Sequence, residues 1–233
     1  RTQELKPRLR TGIAPEGAPT QKALLREKSF RSPGIPMPIL FLTILLSGMG
    51  FGLILPGFPF VATKLGASSA VATTILGLYA VGQVLSTPVW GRLSDRYGRK
   101  PLLVISIAGG LVSYLILAFA SNLWLLGLGR LLTGLMGGSL ALAMAYVSDL
   151  TPPEQRAKSM GYVGGSLSMG FIVGPMLGGL LGGRDAASAT LLWPGLAAVF
   201  VSAVMLVGAI FFLKESLPPE KRAKAGAAKG PGG

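Results

Sequence analysis

Gly91-Arg92-Leu93-Ser94-Asp95-Arg96-Tyr97-Gly98-Arg99-Lys100, followed directly by Pro101, is the stretch on which the reading of this chain turns. Apolar runs flank it, near 70–90 and 101–120. Each has about the twenty residues that a helix needs to cross a hydrocarbon core about 30 Å thick. Two glycines permit a tight hairpin between antiparallel helices, and Pro101 suits the first turn of the second one. Asp95 offers a carboxylate at the membrane edge, and the surrounding cations can cluster around it. An ordinary positively charged loop would explain the Arg and Lys residues but not two spaced glycines around one Asp.

Four further apolar runs lie outward from this hairpin, near 38–59, 124–148, 160–182 and 191–213. Six runs of this length, a mean hydropathy of +0.58 and only 13% charged residues predict an all-α membrane protein with six transmembrane helices. Most of the 34 glycines fall inside the runs, where they let helices pack closely. Pro56 and Pro59 predict a kinked or broken end to the first run. Residues 1–36 read as a disordered basic cytoplasmic tail, 37–213 as the transmembrane domain and 214–233 as a cytoplasmic linker. The first residue is Arg1 and no secretory signal peptide precedes the first run, so the chain reads as truncated at its start.

The net charge of +13 decides orientation rather than ligand. Basic residues cluster in the N-terminal tail, at Arg92, Arg96, Arg99, Lys100, Arg156 and Lys158, and after Lys214, whereas Lys64 and Arg184 stand alone on the other side. Lys and Arg are retained on the cytoplasmic face, which predicts a multi-pass plasma (inner) membrane protein with both termini in the cytoplasm. The same distribution argues against nucleic-acid binding. With no histidine and no cysteine, the commonest base and metal ligands are missing. No nucleophile-base pair is visible either, so no enzyme, cofactor or metal site is expected.

The quoted loop resembles, position by position, the G-x-L-a-D-r-x-G-r-k signature of the major facilitator superfamily, with Ser94 in place of the usual small apolar residue. The resemblance implies a conformational latch of Gly91, Asp95, Arg96, Gly98, Arg99 and Lys100. In it the Asp95 position contacts the partner half of the transporter, and the Arg99 position pairs with an acid ending span four, here Asp149. In span four, Arg130 is a cation in an otherwise uncharged run; it either faces a cavity or partner or snorkels to the outer interface. Arg130 and Gly134 fit the R-x-x-x-G signature of that span, with Met136 where a second glycine would stand. Span five carries Gly170, Gly174, Pro175, Gly178 and Gly179, small residues at a spacing that lets backbones approach. The whole G-x-x-x-G-P-x-x-G-G pattern resembles the signature of the superfamily's antiporters. Gly50 to Pro59 in span one is similar to an element of drug-efflux members, and Lys214 to Pro218 is unlike the sugar-porter ending.

Taken together the resemblance covers about 38–222 and implies the N-terminal half of a drug:proton antiporter of the multidrug or tetracycline-efflux kind. The expected fold is two inverted three-helix repeats, half of a major facilitator architecture. The expected function is proton-coupled efflux of small amphipathic organic compounds by alternating access. Expected partners are the lipid bilayer, a small-molecule substrate, protons, and a missing C-terminal six-helix half or a homodimer partner. A non-transporting membrane scaffold or truncated gene product is the alternative. Polar residues within the spans, Thr43, Ser47, Ser86, Ser113 and Thr133 among them, are expected to bond between helices. Phe51, Tyr79, Gln83 and Ser139 are the candidates to line a substrate path.

Overall fold

The computed structural model describes residues 36–183, 187–213 and 215. Six helical spans long and apolar enough to cross a membrane follow one another: Met37–Lys64, Ser69–Tyr97, Arg99–Ala118, Leu123–Leu150, Pro153–Leu181 and Leu192–Phe212. They are named here spans one to six. The N-terminal tail and nearly all of the 214–233 segment lie outside the described residues.

Span one breaks where its prolines require. A helix over Pro36–Ile54 ends, Pro56 lies in the turn, and a second helix runs over Phe58–Lys64 with Gly57 as its N-cap. Pro59 occupies the second helix's first turn, where its missing N–H leaves no bond unmade. The span therefore continues to Lys64 instead of ending near 59. Span two also outruns its apolar run. Arg92 to Tyr97 are acceptable helix formers, so the helix extends to Tyr97 and the expected Gly91–Lys100 loop shrinks to Gly98 alone. Gly98 has φ +107°, a conformation that only glycine adopts without strain, whereas Gly91 is helical and takes no part in the turn. A 3₁₀ turn over Pro153–Gln155 starts span five ahead of the expected 160.

The packing has an internal symmetry. Span one lies against spans five and six, span two against span four, and span three against spans four and six. Exchanging one with four, two with five and three with six maps this set of pairings onto itself, as two repeated three-helix units require.

Glycines make the closest of these pairings possible. In span five, Gly170, Gly174 and Gly178 lie over the carbonyls of Leu45, Met49 and Leu53 of span one, with Gly48 and Gly52 facing them. In the equivalent pairing, Gly82 of span two and Gly134 of span four bring those backbones together. Small side chains are not needed everywhere along the motif, however, because a Cβ on Gly179 would meet open space.

The hydroxyls of the spans mostly bond within their own helix. Thr43 donates to the Ile39 carbonyl, Ser47 to Thr43, Ser113 to Gly109 and Thr133 to Gly129, each one turn back. Local bonding satisfies a hydroxyl without any partner helix, so the expected interhelical bonds are confined to fewer residues. Ser86 and Ser106 are two that do reach across.

Candidate functional site

Two features of the bundle concentrate polar chemistry: a charge cluster at the Gly98 turn, and a cavity with a buried cation beside it.

At the turn, Arg99 is the hub. Its Nη1 lies 2.9 Å from Asp95 Oδ1 and its Nε 3.1 Å from Asp149 Oδ2, while Nη1 also donates to Ser94 Oγ. One planar guanidinium thus ties the end of span two to the end of span four, a geometry that a lysine could not reproduce. Ser94 is fully buried and itself donates to the Gly91 carbonyl at 2.9 Å. The Asp95 side chain remains about half exposed. Arg96 also points outward, with its guanidinium 5.4 Å from the Tyr97 ring.

Glu215 joins this cluster. Its carboxylate accepts from the Arg99 and Lys100 amides at 2.9 and 3.2 Å, placing negative charge on the N-terminus of span three. Lys100 Nζ in turn donates to the Ile210 carbonyl at 2.8 Å, near the C-terminus of span six. Anion at one helix start and cation at the neighbouring helix end bind spans three and six reciprocally. Nothing local in the sequence signals this pairing, since Glu215 is more than a hundred residues from its partners.

A cavity of about 200 Å³ opens between the spans and is lined by Phe51, Tyr79, Gln83 and Ser139 together with Ser47, Ser106, Tyr114, Thr133 and Phe171. All four sequence candidates for the substrate path fall on this one surface. Phe51 anchors an aromatic group, its ring 4.7 Å from Tyr79 and 5.9 Å from Phe171. The lining combines flat apolar faces with hydroxyls and one amide, the composition that suits an amphipathic organic molecule.

The cavity borders an interruption that the sequence reading missed. Span four is two helices, Leu123–Leu135 and Gly138–Leu150, separated at Met136 and Gly137. Carbonyls at a mid-bundle break must find donors, and here three neighbours supply them. Ser86 donates to Gly134, Trp90 Nε1 to Leu135 at 2.7 Å, and Ser106 to Met136. The Trp90 ring packs directly on Gly138, with no room for a Cβ. The adjacent glycines 137 and 138 were the available signal.

Arg130 is fully buried, which removes the snorkelling alternative. Its guanidinium lies 4.5 Å from the Phe58 ring centroid and 5.8 Å from that of Phe51. Among the described residues, no hydrogen-bond acceptor reaches its Nε, Nη1 or Nη2.

No group of three or more acids among the described residues could hold a metal ion. A family model described as Major Facilitator Superfamily matches residues 40–232. The class H tetracycline resistance protein of Pasteurella multocida is 38% identical over 181 residues, 76% of this chain and 44% of that protein. The class B tetracycline resistance protein of Escherichia coli is 44% identical over 141 residues, 59% of this chain and 35% of that protein. The crystal structure of the human organic anion transporter MFSD10 (TETRAN) aligns with a TM-score of 0.67 at 29% identity, covering 82% of this chain and 50% of that one. The chain spans about half the length of the curated relatives it matches.

Proposed function

That the chain belongs to the Major Facilitator Superfamily is the premise from which we propose its role: one six-helix wall of a secondary transporter exporting small amphipathic organic compounds across the bacterial inner membrane. The superfamily is one of transporters rather than enzymes, and the chain is a multi-pass membrane protein. In the proposed mechanism a second six-helix body, the other half of a longer polypeptide or a second copy, supplies the opposite wall. Rocking of one body against the other then exposes the cavity to alternate sides.

The observation that carries this reading is the cavity itself. Phe51, Tyr79 and Phe171 offer faces for an apolar ring system, while Gln83, Ser139 and Thr133 offer hydrogen bonds. The Arg99 cluster lies at one end of the same bundle, joining spans two and four at the point where they would have to part for the cavity to open there. Asp95, half exposed beside it, is placed to meet a partner body and complete the latch. With both termini in the cytoplasm, as the basic residues predict, this is the cytoplasmic gate.

Exchange for protons is the coupling that resemblance to antiporters favours. Among the described residues no Asp or Glu stands in the middle of a span. The proton-carrying acid of the proposal therefore belongs to the second body or to the cytoplasmic edge.

The test is export of tetracycline by the full-length polypeptide in inverted membrane vesicles, with release of protons followed in parallel. Asp95→Asn should insert normally and lose export. Undiminished export by that variant refutes the latch, and export with no proton movement refutes the coupling. A polypeptide of only this chain's mass that stays monomeric and moves no substrate would make the protein a membrane scaffold instead.

A further inference from the structure

Arg130 presents a physical problem that the cavity resolves. A guanidinium offers five N–H donors in a fixed fork, and removing it from water without a partner is strongly unfavourable. Two phenylalanine rings offset part of that through cation–π contact, but a ring face accepts no fork of hydrogen bonds. Burial this complete, with Nε, Nη1 and Nη2 lacking an acceptor among the described residues, leaves the whole fork of donors for an anion to meet.

The described acids do not supply it. Asp95, Asp149, Glu154 and Glu215 all lie at the end of the bundle marked by the Gly98 turn and the 151–155 connection. Arg130 is seven residues into span four, which starts from the opposite end. At 1.5 Å per residue, Asp149 is on the order of 28 Å away along the same span.

The two rings define how an anion can arrive. Phe51 is at once a wall of the large cavity and the ring 5.8 Å from the guanidinium. Phe58 is at once a contact of the guanidinium and a wall of a second pocket of about 130 Å³, lined by Thr63, Ser69 and Thr73 near the 65–68 turn. Arg130 therefore touches one wall residue of each of two cavities, Phe51 of the larger and Phe58 of the smaller. Phe51 is the residue common to Arg130 and the main cavity, so its side chain is the one whose rotation bears on access between them.

Resting on the transport reading above, we propose that Arg130 is the recognition group for a carboxylate or similar planar monoanion on the transported molecule, with Phe51 as the ring that turns aside to admit it. The acid end would pair bidentately with the guanidinium while the apolar end stacks on Tyr79 and Phe171. The substrate class is thus an aromatic or amphipathic acid rather than a lipophilic cation, because an ammonium head would face an unpaired positive charge in a low-dielectric setting. A fixed carboxylate elsewhere in the full-length protein has the same chemistry, and the experiment separates the two sources.

Equilibrium binding of three matched compounds to the purified full-length protein decides it: 2-naphthoate, 2-naphthalenemethanol and 2-naphthylmethylammonium. Naphthoate should bind about tenfold or more tighter than the alcohol, and the ammonium weakest. Arg130→Gln should bring naphthoate to the level of the alcohol while leaving the alcohol within about twofold, and Arg130→Lys, which keeps the charge but loses the fork, should fall between. Arg130→Lys decides the matter alone if Arg130→Gln does not fold. A naphthoate preference that survives the substitutions, or equal binding of all three compounds, overturns the proposal and leaves Arg130 to a fixed acid, with the transport reading intact. Binding of none of the three overturns the proposal, while tetracycline export decides the transport reading separately.

Discussion

Gly174→Ala tests whether the span-one and span-five contact is as tight as it looks. A Cβ built on Gly174 would stand 2.6 Å from the Met49 carbonyl oxygen and 2.9 Å from Gly52 Cα, against the 3.4 Å at which ordinary contact begins. Both obstacles are backbone, so no rotamer change relieves them and the helices must part by roughly 0.8 Å along the Gly170, Gly174 and Gly178 stripe. Overpacking of this kind costs about 1–3 kcal/mol, with rigid neighbours toward the upper end. Alanine returns up to about 1 kcal/mol through its better helix propensity. The net expectation is a loss of about 1–2 kcal/mol. At Gly179, in the same sequence motif, nothing lies within 4 Å, so only the propensity term acts and Gly179→Ala should be neutral or stabilising by up to about 1 kcal/mol. The assay is unfolding in mixed detergent and SDS micelles followed by far-ultraviolet circular dichroism. Equal stabilities for the two variants would refute the reasoning, because sequence context is shared and only the clash differs.

Three other measurements address the remaining contacts. Trp90→Phe removes the donor to the Leu135 carbonyl and should cost about 1–3 kcal/mol of unfolding free energy, while Trp124→Phe, at a side chain 88% exposed, should stay within about 0.5 kcal/mol of wild type. Glu215→Gln should cost on the order of 1 kcal/mol and speed hydrogen exchange at the Arg99 and Lys100 amides; unchanged exchange there would remove Glu215 as the cap of span three. Asp149→Asn alone should cost under about 1 kcal/mol, because Arg99 keeps Asp95 at 2.9 Å. A double-mutant cycle with Asp95→Asn should show the paired loss exceeding the sum, and simple additivity would mean that the two carboxylates do not share one cation.

How much of this was legible in the sequence depended on whether the cause was local. Six spans followed from uninterrupted apolar length, and the first break from Pro56 and Pro59, because a missing N–H acts wherever the proline stands. Tyr79, Gln83 and Ser139 stood out as polar groups inside apolar runs and Phe51 as an aromatic in the first run, and the structure places all four on one cavity wall. The break at Met136 was not legible, since its stability comes from Ser86, Trp90 and Ser106 on two other spans, and no window on span four contains them. Glu215 was hidden for the same reason. Within the span-five motif, sequence could not separate Gly178, pressed on the Leu53 backbone, from Gly179, one residue and about 100° further round the helix.

The interruptions bear on how such a bundle could move. In each three-helix unit the first span is broken, at Leu55–Gly57 in span one and at Met136–Gly137 in span four. The second span of each unit carries an internal proline, Pro88 and Pro175, and the third is continuous. Spans one and four run in opposite directions, and their breaks fall at different depths. The first lies one short helix from the 65–68 turn, while the second lies thirteen residues in from the 119–122 connection at that same end. The cavity stands between them, with Phe51 just ahead of one break and Gly137 and Ser139 at the other. A helix with an intact hydrogen-bond ladder moves as a rod, whereas a broken one can move half at a time. Under the proposed alternating access, the Phe58–Lys64 piece can tilt without disturbing the Arg99 cluster, and the Gly138–Leu150 piece, which ends in Asp149, can tilt without disturbing Arg130. Two hinges on opposite sides of one cavity are what independent opening of its two ends requires.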